Sequence, residues 1–111
     1  DPDLSVTPGD PARPSPDVPT TALLVVEVSY TTLADDRGWK ASLYAAAGIA
    51  DYWVVDLEND RVEIRRDPRP DPTQPFGHGY FTLVTLVRGD VAVPLAAPTG
   101  AAVAVADLLP A

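Results

Sequence analysis

The feature that most constrains this chain is a glutamate, Glu27, placed inside its most apolar stretch, residues 23–29. An ionised carboxylate taken out of water costs several kcal/mol unless it is paired, hydrogen-bonded or bound to a metal. The chain has a single lysine, Lys40, which follows Glu27 by thirteen residues. The apolar run predicts a buried strand, and the glutamate inside it predicts a functional group with a specific partner.

Length and composition fit one domain spanning residues 1–111 with a modest core, since 46% of the 111 residues are hydrophobic. The chain lacks methionine and opens on Asp1-Pro2-Asp3, so we expect it to be the C-terminal part of something longer. It has no cysteine, which excludes disulfides and thiolate metal sites, and no apolar run of membrane-spanning length. These features predict a soluble cytoplasmic protein.

The net charge of −8 argues against binding nucleic acid by bulk electrostatics, because phosphate binding relies on Lys and Arg. Five of the eight basic residues nevertheless fall in the second half of the chain: Arg61, Arg65, Arg66, Arg69 and Arg88. A local basic strip is therefore an open alternative to an ordinary solvated face.

The first third of the chain predicts two extended segments joined by a stiff connector. Residues 2–6 are expected to be extended, and the five prolines in the loop at residues 7–21 exclude helix and central strand. Residues 22–30 then predict a central strand buried on both faces. Side chains alternate along a strand, so Glu27 and Ser29 share one face.

A helix is predicted over residues 36–47, because hydroxyl and carboxylate caps are followed by good helix formers. Trp39 and Leu43, with the alanines, are expected to pack against the sheet. Lys40 and Tyr44, spaced four residues apart, form a neighbouring stripe.

Gly48 is expected to end this helix, and strands with turns follow it. The predicted strands are 52–57, 61–66, 80–87 and, after a turn at 88–90, a short pairing strand at 91–93, before a final helical turn near 106–109. This order predicts an α/β or α+β domain with a mixed sheet and C-terminal β-hairpins.

An acidic residue on one strand, a Glu-x-Ser on the next and a basic residue on the following helix are the parts of a metal-dependent phosphodiesterase. Asp3 would supply the second carboxylate if its segment pairs with the strand that carries Glu27. Two such carboxylates bind Mg²⁺, and Lys40 would support the attacking water and the developing negative charge on phosphorus. Spacing alone leaves this hypothesis open.

Five strings in order make the pattern more specific: PDLSV (2–6), LVVEVS (24–29), DRGWK (36–40), LYAAAGI (43–49) and YWVVD (52–56). From about residue 2 to residue 66 the chain resembles the Uma-two family, restriction-endonuclease-like proteins of the PD-(D/E)XK nuclease superfamily. The resemblance implies a restriction-endonuclease-like core, a mixed sheet flanked by helices. It also implies cleavage of DNA that depends on Mg²⁺ or Mn²⁺, and a family N-terminal portion that is absent from this chain.

The resemblance assigns catalytic roles to Asp3, Glu27 and Lys40, with Lys40 as a lysine relocated to the helix. Ser29 matches the place where the superfamily more often has lysine. The metal would be held by Asp3 and Glu27, helped by the Val28 backbone carbonyl.

Two alternatives stay open. Asp17, in a second Pro-Asp pair, competes with Asp3, which we prefer because residues 4–6 can continue as a strand. The protein is expected to be an endonuclease with DNA as its substrate, no membrane contact and a homodimer as an option. The alternative function is a catalytically silent relative that keeps the fold as a binding or assembly module.

Overall fold

The computed structural model describes residues 4–6, 23–96 and 102–110, and for residues 4–6 it describes the backbone. Asp3, Asp17 and the connector predicted at 7–21 lie outside these residues. In chain order the elements are β1 (Leu4–Val6), β2 (Leu24–Ser29), α1 (Leu33–Arg37), α2 (Trp39–Ala46), β3 (Asp51–Asp56), β4 (Arg61–Pro70), β5 (His78–Leu86), β6 (Val91–Ala92), β7 (Val103–Ala104) and α3 (Val105–Leu108).

The apolar strands build one five-stranded sheet in the order β1-β2-β3-β4-β5. β2 and β3 run parallel, as a strand–helix–strand crossover allows, and the other neighbouring pairs are antiparallel. Leu4 pairs with Val26, and Glu27 pairs with Val54. The predicted α+β class with a mixed sheet flanked by helices is confirmed, and the pairing of residues 4–6 with β2 agrees with it.

Side chains alternate between two apolar clusters, one on each side of the sheet. The side covered by α2, here called the helix face, holds Val25, Ala41, Tyr44, Ile49, Tyr52 and Val54. The opposite side, here called the far face, holds Leu24, Val26, Trp53, Val55, Val62, Ile64, Ala92, Val105 and Leu109. The prediction that β2 is buried on both faces is wrong at Val28, which is 46% exposed because the far-face cluster ends at Val26.

The predicted single helix over 36–47 is two helices, α1 and α2, separated at Gly38. Gly38 has φ −96° and ψ −106°, which is not helical, and its N–H donates to the Ala34 carbonyl at 2.9 Å. A Cβ at this position would lie 2.8 Å from the same oxygen, so the close approach requires glycine. The break places Asp36 inside α1, whereas the sequence suggested a capping position. Gly48, with φ 78°, follows α2 as predicted.

The buried face of α2 also differs from the prediction. Trp39 is 43% exposed and Leu43 is half-buried, whereas Ala41, Tyr44 and Ala45 are buried against the sheet. Two alanines let the helix backbone approach the strands closely, and the Tyr44 ring then fills the space beside Tyr52, with ring centroids 5.0 Å apart.

The C-terminal residues cover the far face. The short strand predicted at 91–93 is β6, but it pairs with β7 rather than with β5. The Asp90 side chain accepts from the Val87 N–H at 2.8 Å, and the Asp90 carbonyl accepts from the Val105 N–H at 3.0 Å. These bonds turn the chain away from β5 and bring α3 over the far-face cluster, so the predicted helical turn near 106–109 is present as α3. None of the described helices is long and apolar enough to cross a membrane.

Candidate active site

Glu27 projects from β2 onto the helix face and is 2% exposed. Its Oε2 lies 3.2 Å from the Lys40 ammonium, and its Oε1 accepts a hydrogen bond from the Tyr44 hydroxyl at 3.0 Å. Both partners come from α2, one turn apart. The structure thus brings together the glutamate and the lysine that the sequence singled out.

A second carboxylate, Asp36, shares the same ammonium. It is fully buried in α1, and its Oδ1 lies 3.1 Å from the Lys40 Nζ. The Thr32 hydroxyl donates to Oδ2 at 3.1 Å, and the Tyr52 hydroxyl donates to the Asp36 backbone carbonyl at 2.8 Å. Asp36 was not among the site residues predicted from the sequence. The available signal was a carboxylate four residues before the single lysine, although the break at Gly38 places the two residues in different helices.

Lys40 is a permanent cation at neutral pH. Burial lowers the pKa of its amine, but hydrogen bonds with Asp36 and Glu27 outweigh that effect and raise the pKa above its ordinary value of 10.5. The ammonium also lies 5.9 Å from the centre of the Trp39 ring, within the range of a cation–π contact. An amine held in this way stabilises negative charge and is unsuited to accept a proton.

Ser29 lies two residues after Glu27 on the same face of β2. It is fully buried, and its Oγ has no hydrogen-bond partner among the residues that the structure describes. Buried hydroxyls are usually hydrogen-bonded, so this one marks a polar position beside the Glu27 carboxylate.

Two predicted site residues remain, Asp3 and Val28. Asp3 lies outside the described residues, but Leu4, next to it in sequence, pairs with Val26, next to Glu27. Val28 lies in β2 between Glu27 and Ser29, with its side chain on the far face.

A second buried acidic cluster occupies the helix face beyond Glu27, where Asp56 is fully buried and Glu63 is 4% exposed. Arg37 donates from Nε to Glu63 at 3.0 Å and also pairs with Asp56 at 3.3 Å. Arg61 donates to Asp56 at 3.2 Å, and Arg65 donates to Glu63 at 2.9 Å. Burial raises the pKa of both carboxyls, but the hydrogen bonds that they accept outweigh it and leave both pKa values below their ordinary range.

The arginines of the second half are therefore not an unpaired basic strip. Each of the five lies within ion-pair distance of a carboxylate: Arg61 with Asp56, Arg65 with Glu63, Arg66 with Asp51, Arg69 with Asp67 and Arg88 with Asp60. Charge that is already paired contributes little to phosphate binding. The expectation of a free basic strip is corrected by these pairs, whereas Arg69 and Arg88, with side chains 60% and 41% exposed, fit a solvated face.

The donor set near Glu27 fits a hard divalent cation such as Mg²⁺. Mg²⁺ takes one or two carboxylates and keeps several waters, whereas the Cys and His ligands common in zinc sites do not occur among the described residues near Glu27. The described residues contain no group of three or more acidic or histidine side chains that could hold a metal by themselves. The fit therefore rests on the Glu27 carboxylate and on the polar Ser29 Oγ beside it.

Comparison with known proteins gives one match. No curated protein and no solved structure matches the chain significantly. The family model Uma2, described as "Putative restriction endonuclease", matches residues 1–105, nearly the whole sequence. The chain therefore belongs to the Uma2 family.

Proposed function

We propose that the protein is a Mg²⁺- or Mn²⁺-dependent endonuclease that hydrolyses phosphodiester bonds of DNA. Membership of a family described as restriction endonucleases supports a nuclease-type function. The observation that carries the proposal is the Glu27–Lys40 contact of 3.2 Å. It joins a buried carboxylate and the single lysine of the chain, the two residues to which the family resemblance assigns catalytic roles.

In the proposed site Asp3, Glu27 and the Val28 carbonyl would hold the metal, and Lys40 would act with them in catalysis. The metal would polarise a phosphoryl oxygen and lower the pKa of a bound water. Lys40 is protonated at neutral pH, so its role is to orient the attacking water and to stabilise charge that develops on the phosphate. Asp36 keeps the ammonium in place when Glu27 engages a cation, because Lys40 contacts both carboxylates.

Mutation of Glu27 tests the proposal. Glu27→Gln keeps the size and the hydrogen-bonding capacity of the side chain but removes the negative charge that a divalent cation requires. We expect wild type to be stabilised by Mn²⁺ in thermal unfolding and to nick plasmid DNA, and Glu27→Gln to lose both effects. Glu58→Gln is the matched control, because Glu58 is exposed and distant in sequence from the site.

Two results would argue against this function. If Glu27→Gln retained wild-type Mn²⁺ stabilisation, Glu27 would not be a metal ligand. If wild type cleaved neither DNA nor RNA with any divalent cation, the silent-module alternative would be favoured. That alternative is supported by the net charge of −8 and by the paired state of the arginines.

The same proposal includes DNA as the substrate, a cytoplasmic location and a homodimer. Support for the dimer comes from β5, an edge of the described sheet that carries no Asp, Glu, Lys or Arg. Phe81 and Leu83 on this strand are 55% and 57% exposed, and unprotected edges of this kind pair with other strands. Sedimentation should show a dimer that Leu83→Lys dissociates; a monomeric wild type would exclude it.

A further inference from the structure

Two buried serines on the helix face differ in the hydrogen bonds that their hydroxyl groups make. Ser42, in α2, is 1% exposed, donates to the His78 carbonyl at 2.7 Å and accepts from the Phe76 N–H at 3.0 Å. Ser29 is equally buried, yet its Oγ finds no hydrogen-bond partner within the described part of the chain.

An unsatisfied buried hydroxyl costs about 1–3 kcal/mol, so a residue such as alanine would serve this strand position better if packing alone mattered. The backbone carbonyl of Ser29 accepts from the Leu57 N–H at 2.9 Å. The side-chain Oγ is thus the polar atom of Ser29 that no described residue hydrogen-bonds.

The position of Ser29 indicates what its hydroxyl binds. Residues two apart on a strand face the same way, and their Cα atoms are separated by about 6–7 Å, a span that one water molecule can bridge by hydrogen bonds. Glu27 and Ser29 stand in this relation on β2, and their cross-strand partners on β3 are Val54 and Asp56. Val54 offers no polar atom in its side chain, and Asp56 already accepts from Asn59 and Arg61.

We propose that Ser29 is a positioning residue whose Oγ hydrogen-bonds a water in the coordination shell of the cation held by Glu27. This inference rests on the proposed function, since it presupposes a divalent cation at Glu27. Mg²⁺ and Mn²⁺ keep several waters when proteins bind them, and groups that hold such outer ligands strengthen metal binding.

The test compares Ser29→Ala with Ser42→Ala in the full chain by two measurements, Mn²⁺ titration calorimetry and metal-free urea unfolding. Ser29→Ala should weaken Mn²⁺ binding about 10-fold, in the range seen for outer-shell partners, and leave metal-free stability unchanged or raised. Ser42→Ala should do the reverse, lowering metal-free stability and leaving Mn²⁺ affinity intact. Ser29→Thr, which keeps the hydroxyl on a β-branched side chain, should recover part of the lost affinity.

The possible results distinguish failure of the Ser29 role from failure of the proposed function. If wild type binds Mn²⁺ through Glu27 and Ser29→Ala binds it equally well, the Ser29 role is wrong and the proposed function stands. If Ser29→Ala lowers metal-free stability without affecting Mn²⁺ affinity, Ser29 is structural and the inference is overturned. If wild type binds no divalent cation, the inference and the proposed function both fail.

Discussion

Two buried acidic clusters lie side by side on the helix face, and they differ in how their charge is balanced. In the first, Glu27 and Asp36 share one described cation, the Lys40 ammonium. In the second, Asp56 and Glu63 contact three guanidinium groups, those of Arg37, Arg61 and Arg65.

The difference lies in the kind of cation that balances each cluster. Planar guanidinium groups with several donors suit permanent ion pairs, and the Asp56–Glu63 cluster is accordingly well supplied with hydrogen bonds. The Glu27–Asp36 cluster holds a compact ammonium and adjoins the Ser29 Oγ, which is buried without a described partner. A buried carboxylate with one specific ammonium partner is a candidate for a functional site, whereas a network of guanidinium pairs is typical of a structural role.

Removal of the Lys40 ammonium, which Glu27 and Asp36 share, should have the largest effect of the mutations considered. Lys40→Ala is expected to lower the DNA-cleavage turnover about 10² to 10³-fold, as loss of one preorganised electrostatic contact does. Lys40→Arg should recover little, because a planar guanidinium cannot reproduce a point-charge contact with one water. The measurement is single-turnover plasmid cleavage at equal folded concentration, with Arg61→Ala as the control from the other cluster. Wild-type cleavage by Lys40→Ala would remove this residue from the mechanism.

Removal of a guanidinium should instead affect stability. Arg37→Ala removes the hydrogen bonds that Arg37 donates to Glu63 and Asp56. We expect the free energy of unfolding to fall by about 1.5–3 kcal/mol, the value of a hydrogen bond to a charged group. Turnover per folded molecule should change little. Urea unfolding followed by tryptophan fluorescence measures the first quantity. A large loss of turnover with unchanged stability would show that the two clusters act as one site.

The smallest expected effect is a difference in pH dependence. The lowered pKa values of Asp56 and Glu63 stabilise the fold above their ordinary values of 3.8 and 4.5, and this contribution is lost as pH falls through the lower folded values. The raised pKa of Lys40 acts in the opposite range: its contribution is present below 10.5 and is lost as pH rises through the higher folded value. Stability curves of wild type, Glu63→Gln and Lys40→Met should therefore lose the acid and the alkaline component separately. Identical curves for the three proteins would contradict the assignment.

Sequence reasoning reached the first cluster because its signal is local. A glutamate in an apolar strand needs a partner, and the helix that directly follows supplies the single lysine of the chain. Asp36 was missed since helix formers and caps do not reveal the break at Gly38, which depends on a close approach to the Ala34 carbonyl.

The second cluster and the C-terminal strand pairing depend on contacts between distant parts of the chain. Arg37 meets Glu63 across 26 residues, and Val91 pairs with Ala104. Alternating charges along β4 predict a strand but do not say which carboxylate each arginine will contact, because that depends on how α1 docks. The same reason explains the error at Trp39, where amphipathic spacing alone could not choose the face that packs.

The break at Gly38 also affects the stability of the assembled site. Glu27 belongs to the sheet, whereas Lys40, Asp36 and Tyr44 belong to two helices of five and eight residues. Helices this short are not stable alone in water, so they exist only while docked on the strands. Local unfolding of the crossover would therefore abolish the lysine–glutamate contact while the sheet stays intact. Amide hydrogen exchange in α1 and α2, compared with exchange in β3, would report directly on the fraction of molecules whose site is assembled.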